Sequence, residues 1–221
     1  DFIDNAAGVD CSDHEVNIKI LLDDLVTNGD LTAKQRNQLM HKMTDEVSSL
    51  VLHNNYRQAQ AIALAHSDSL KRTSEYRRLI NSMEQQGKLD RELEFLPSDE
   101  LILERKVSQQ GLTRPELAVL ISYAKGEFKE ALIKANIGSD AVVERQLETA
   151  FPASLVKLYQ SSTYSHRLKT EIIATQVAND LFNHMGITFV ERMQESTGSS
   201  ALEIARAYLV AKELFALESV F

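Results

Sequence analysis

A single cysteine, Cys11, in 221 residues rules out an internal disulfide, so the core has to hold the fold. Proline and glycine are scarce too, at 3 and 8, which leaves little turn chemistry for an all-β or densely looped architecture. No apolar run reaches the ~18 residues that a membrane-crossing helix needs. Positive charge is in deficit: 24 Lys and Arg against 32 Asp and Glu leave a net charge of −8, which opposes the phosphate contacts that nucleic-acid binders rely on. The six histidines form no His-x-x-x-His pair and no His/Cys cluster at metal spacing, so no metal site is expected. No Gly-x-Gly-x-x-Gly loop is present either.

What remains is a globular composition. Hydrophobic residues at 43% and charged residues at 25% are near the average for folded domains and argue against wholesale disorder. The length suits one large domain, or a domain with a trailing element. With no signal-peptide pattern and no disulfide pair, the cytoplasm is the expected compartment.

Helical signals run from end to end without a sustained period-two pattern, which predicts an all-α fold, a multi-helix bundle of roughly ten helices. Ser12 with Glu15 reads as a capping box for a first helix, striped by Val16, Ile20 and Leu21 and ended by Asn28-Gly29. Thr32 with Gln35 opens a second, with Leu39, Met43, Val47 and Leu50 on one face, and the Ala-rich span 56–70 supplies a third. A fourth is predicted over 74–86, with Leu79, Ile80 and Met83 inward and Gly87 as its stop. Residues 87–98, polar and ending at Pro97-Ser98, are the expected internal joint. Ser98 opens a helix running to Gly111, and Thr113, Pro115 and Glu116 start another, whose run 117–121 is apolar on every side and predicted central. A short helix over 139–150 precedes Pro152. A long one follows over 165–185, and the last, opened by Ser200 and Glu203, carries Ile204, Tyr208, Ala211 and Phe215 as a stripe that calls for a partner.

The chain opens on Asp1, already inside a motif, and reads as a piece of a longer protein. Asn5-Ala6-Ala7-Gly8-Val9, followed by Ser12 and Glu15, resembles the Asn-Ala-Gly-Gly-Val-x-x-Ser-x-x-Glu stretch that closes the active-site cleft of glutamate dehydrogenases. Ala7 replaces a second Gly of the smaller members, and residues 10–14, Asp-Cys-Ser-Asp-His, are more polar than theirs. That version is similar to the very large NAD-dependent class. LTRPELAVLISYAK at 112–125, RLKTEIIATQVANDLFNHMG at 167–186 and ARAYLVAKELF at 205–215 resemble the C-terminal helical region of the same class, so the resemblance spans most of the chain.

The resemblance implies that Asn5 lies beside the nicotinamide and ribose of NAD, and that Ser12, with Val9, meets the substrate, Ser12 reaching the side-chain carboxylate of glutamate. Physical chemistry is compatible with this, because a helix N-terminus offers unpaired amides and a partial positive charge, and Gly8 lets a ligand approach the backbone. On the residues alone, Ser12 caps its helix and Gly8 turns the chain. By the resemblance, residues 1–27 end the catalytic region and residues 28–221 form a C-terminal helical domain serving as scaffold, subunit interface or regulatory module. The catalytic Lys and Asp and the nucleotide-binding domain then lie upstream in the same polypeptide. L-Glutamate and 2-oxoglutarate are the implied substrates of that parent, NAD its cofactor and a homo-oligomer its assembly. The fragment alone is expected to be inactive. The alternative is a non-catalytic helical interaction module binding a partner protein or a small effector.

One constellation stays open. Gln176, Asn179, Asp180 and Asn183 form a polar stripe beside the apolar one of Ile173, Val177 and Leu181, and Asp180 and His184 stand one helical turn apart. It reads either as a ligand site or domain contact, or as a hydrogen-bonded network between packed helices. His14 reads as a solvated first-turn residue, and the 112–125 helix as a packing element rather than a DNA-recognition helix.

Overall fold

The computed structural model describes residues 5–217, and every regular element among them is a helix. In chain order these are α1 (Gly8–Thr27), α2 (Ala33–Lys42), α3 (Thr44–Asp68), α4 (Thr73–Gln85), α5 (Asp99–Val107) and α6 (Arg114–Lys134). Two 3-10 turns at Ile137–Ser139 and Glu144–Ala150 lead to α7 (Ala153–Leu158), α8 (Gln160–Tyr164), α9 (Lys169–Met185), α10 (Phe189–Thr197) and α11 (Ala201–Leu214). Among the described residues no helix is long and apolar enough to cross a membrane.

Three starts form as local chemistry dictates. The Thr32 hydroxyl accepts the Gln35 amide while the Gln35 side chain takes the Thr32 amide at 2.9 Å. Ser200 and Glu203 repeat the arrangement, with the Ser200 amide donating to the Glu203 carboxylate at 2.8 Å. In α6 the Thr113 amide donates to Glu116 at 2.7 Å, ahead of Pro115 in the first turn. Each such cap satisfies amides that would otherwise lack partners and stabilises its helix by ~1 kcal/mol.

The core is centred on α6 and α9, the most extensive helix pair of the bundle. Leu117, Leu120 and Ile121 of α6 and Ile173, Val177 and Leu181 of α9 are fully buried, each contributing roughly 1.5–3 kcal/mol of apolar burial. Phe128 and Phe182 meet edge to face across this pair, with ring centroids 5.8 Å apart. α3 packs on both α6 and α9, and α1 on α3. The first 3-10 turn approaches α9 so closely that a Cβ on Gly138 would lie 2.2 Å from Thr170 Oγ1. The turn is possible there because the residue has no side chain.

Several elements depart from the sequence expectation. The predicted second helix is divided at Met43, where Thr44 Oγ1 bonds back to the His41 carbonyl at 2.9 Å and α3 starts a dozen residues before position 56. The break lets Met43 turn into the core at 2% exposure. The expected long helix over 165–185 begins only at Lys169, and α10 has no counterpart among the predicted elements. In α11, Ile204 and Tyr208 are buried as expected, but Phe215 lies beyond the helix end and is exposed. Within residues 87–98, Leu89 and Leu96 are buried and Arg91 donates to the Pro97 carbonyl and the Asp99 carboxylate at 3.3 and 3.1 Å.

Candidate functional site

The N-terminal motif forms the entry to α1. Asn5 adopts a left-handed backbone, φ 43°, a conformation asparagine tolerates better than most residues. Its Oδ1 accepts the Gly8 amide at 3.2 Å. A Cβ on Gly8 would lie 3.0 Å from that same oxygen, so glycine allows Asn5 to close over the helix start. Ala6 beside it is buried and seats the turn.

This start overturns the predicted capping box at Ser12. α1 begins at Gly8 with Ala7 as its N-cap, so Ser12 sits one turn inside, its hydroxyl donating to the Val9 carbonyl at 2.8 Å. Glu15 pairs instead with Lys19. The pattern Ser-x-x-Glu is read correctly as a cap only where the preceding residues are not themselves helical, and here the turn from Asn5 to Gly8 makes them so. The helix-start amides and the Ser12 hydroxyl are therefore one turn apart.

α1 is two-sided. Ile18, Leu21, Leu22 and Leu25 are buried against the bundle, whereas Asn5, Val9 and Ser12 are exposed along the outer edge. His14, expected in solvent, is 3% exposed, with Nδ1 2.8 Å from the Ala150 carbonyl oxygen. Because a carbonyl only accepts, Nδ1 carries the proton. The Asp10 carboxylate accepts from Asn54 at 3.0 and 3.2 Å and lies 3.8 Å from His14 Nε2. Burial raises the Asp10 pKa, and the Asn54 hydrogen bond and the charges of His14 and Lys125 partly oppose that rise. The motif is thus rigidly mounted on its inner side and open on its outer side.

In the polar stripe of α9, Asp180 joins a hydrogen-bonded network. Asp180 accepts from Lys212 at 2.7 and 2.9 Å and from the Tyr208 hydroxyl at 2.9 Å, and His184 Nδ1 lies 3.3 Å from it and 2.6 Å from the Tyr208 oxygen. This is a network between α9 and α11. The stripe also lines a cleft of about 770 Å³, shared with α3, α7 and the second 3-10 turn. Among the described residues no group of three or more His, Cys, Asp or Glu is placed to hold a metal ion.

Comparison with known proteins gives a consistent picture. The family model described as glutamate dehydrogenase, C-terminal, matches residues 109–221, and that of the bacterial NAD-glutamate dehydrogenase catalytic domain matches residues 1–65. The whole chain is 57% identical to the NAD-specific glutamate dehydrogenase of Pseudomonas aeruginosa, and 98% of it is 57% identical to the one from Halomonas elongata. The counterpart in Mycobacterium tuberculosis is 36% identical over the whole chain. The chain spans 14% of the length of each of these relatives.

Proposed function

The chain belongs to the glutamate dehydrogenase C-terminal family, and on that footing we propose that it is the helical C-terminal part of an NAD-dependent glutamate dehydrogenase. The activity assigned to the whole enzyme is oxidation of L-glutamate with water to 2-oxoglutarate and ammonia, NAD accepting the hydride. Residues 1–27 close the catalytic region in this reading and residues 28–221 form a scaffold. The match of residues 1–65 to the catalytic-domain family supports assigning residues 1–27 to the catalytic region, and it runs on through α2 into α3, past the proposed boundary at residue 27. The upstream catalytic and nucleotide-binding domains are the proposed partners, in a cytoplasmic homo-oligomer.

The two-sidedness of α1 carries the reading. A helix whose inner face is built into the bundle core and whose outer edge exposes Asn5, Val9 and Ser12 is suited to hold those groups in fixed places against a neighbouring domain. Asn5 fits the edge of a nicotinamide site: its Oδ1 is occupied by the Gly8 amide, which orients the carboxamide and leaves its N–H groups to donate outward. Ser12 would meet the glutamate side-chain carboxylate through its hydroxyl, with Val9 packing beside the substrate chain. The proton-transferring groups are assigned to upstream segments.

Expression of the longer polypeptide with this chain at its C-terminal part, assayed for NAD reduction by L-glutamate, tests the proposal. Glutamate-dependent NADH formation supports it, and its absence in a folded protein refutes it.

A further inference from the structure

The cleft on the polar side of α9 carries a charge opposite to that of the chain. Arg57, Lys157 and Lys212 line it against two acids, Glu148 and Asp180, so its lining is net positive by one in a protein of net charge −8. Both acids are already engaged. Asp180 is held by Lys212 and Tyr208 and lies 3.9 Å from Arg57, and Glu148 accepts from the Tyr164 hydroxyl at 2.7 Å and from Gln160 at 3.3 Å, so among the described residues Lys157 is the cation of the three with no carboxylate partner.

The remaining lining is rich in carboxamides. Gln176, Asn179 and Asn183 project along one side of α9, with Asn54 and Gln146 across from them. The Asn183 Oδ1 is buried and accepts no hydrogen bond among the described residues. A buried polar atom in that state costs about 1–3 kcal/mol unless a ligand or water supplies a donor. The cleft's volume, about 770 Å³, falls within the range of small-molecule sites. Leu50, Phe151 and Val156 add an apolar portion.

We propose that this cleft is a second ligand site, taking a small polar oxyanion, a carboxylate- or phosphate-bearing metabolite that also carries a hydrogen-bond donor. The positive lining attracts the oxyanion, with Lys157 at the exposed rim as its first contact. The donor group of the ligand pairs with Asn183 Oδ1 deeper in the cleft. The Asp180 network is the support: it fixes Lys212 and Tyr208 on α11 against α9, which holds the cleft walls in place. The ligand would bridge α9 to the shorter elements at 144–158, where its binding is readable as reduced backbone mobility.

Hydrogen exchange on the longer polypeptide tests this, with two probes added separately: L-glutamate, whose ammonium group is a donor, and inorganic phosphate, which keeps a P–OH donor at neutral pH. The site predicts slowed exchange over residues 146–160 with at least one of the two anions, and which one acts distinguishes a carboxylate from a phosphate ligand. Lys157→Glu, at an exposed position outside the proposed catalytic machinery, weakens that protection about tenfold in anion concentration, the scale of an inverted charge-assisted contact. Asn183→Asp, which keeps the shape and adds a negative charge, weakens it as well. No slowing at 146–160 with either anion, or slowing untouched by both substitutions, overturns the proposal. Protection by L-glutamate near Ser12 reports on the catalytic reading instead, so the two readings fail separately.

Discussion

His14 donates from Nδ1 to the carbonyl oxygen of Ala150 over 2.8 Å, joining two residues 136 positions apart. The bond ties the helix that carries the N-terminal motif to the turn that precedes Pro152, inside a site where His14 is 3% exposed. His14→Ala leaves a buried carbonyl without its donor and a void beside it, and should lower unfolding stability by about 2–3 kcal/mol. Urea unfolding measures this. A loss under ~0.5 kcal/mol, the size of an ordinary surface substitution, would contradict the anchoring role.

Glycine positions give a paired test. A Cβ on Gly111 would stand 2.1 Å from Ser69 Oγ and 2.6 Å from the Leu70 backbone nitrogen, so Gly111→Ala has to move main chain. Overpacking of this kind costs roughly 1–3 kcal/mol, and at ~2–4 °C per kcal/mol for a chain of this size the melting temperature should fall measurably. Gly126, within α6, has nothing inside 4 Å of its Cβ position. Gly126→Ala should therefore raise stability by about 0.5–1 kcal/mol through helix propensity and the loss of unfolded-state freedom. Thermal unfolding of the two variants reads opposite signs.

Glu191 on α10 gives stability a pH dependence. Burial and the nearby Glu195 carboxylate push its pKa up to about 7, with Glu127 and Glu75 adding to the rise and Arg78 opposing it. A carboxyl whose folded pKa exceeds its unfolded value binds more protons in the native state. Its favourable contribution is complete below the unfolded pKa of 4.5 and is lost as pH climbs through about 7. Glu191→Gln should therefore melt higher than the parent chain at pH 8 and flatten the fall in stability between pH 5 and pH 8. Identical pH profiles for the two proteins would contradict this assignment.

Features written in short stretches of chain were legible before the fold was known. The starts at Thr32, Thr113 and Ser200 depend on residues three apart, and each forms as its sequence indicates. The apolar run in α6 likewise needs no distant partner to mark it as central. Ser12 shows the opposite case: the same three-residue signature lies inside a helix because Asn5, with its left-handed backbone, starts that helix earlier. His14 is not legible in the same way, because its partner, Ala150, is distant in sequence and polarity alone assigns it to solvent. Met43 divides a pattern that runs on unbroken in hydrophobicity, since the residue is core in either geometry. For the candidate site, Asn5, Val9 and Ser12 are named by resemblance. Their common exposure on the outer edge of α1, opposite the buried Ile18 and Leu22, is visible only in the fold.

The central claim is that this outer edge positions glutamate. Steady-state kinetics of Ser12→Ala in the longer enzyme tests it most directly, because the hydroxyl is exposed and its only hydrogen bond among the described residues is to the Val9 carbonyl of its own helix. Removing it should leave unfolding stability within ~0.5 kcal/mol of the parent. The account predicts a Michaelis constant for L-glutamate raised about tenfold or more, the value of one hydrogen bond to a carboxylate, with that for NAD little changed. A glutamate Michaelis constant equal to that of the parent enzyme, in a protein of unchanged stability, would contradict it.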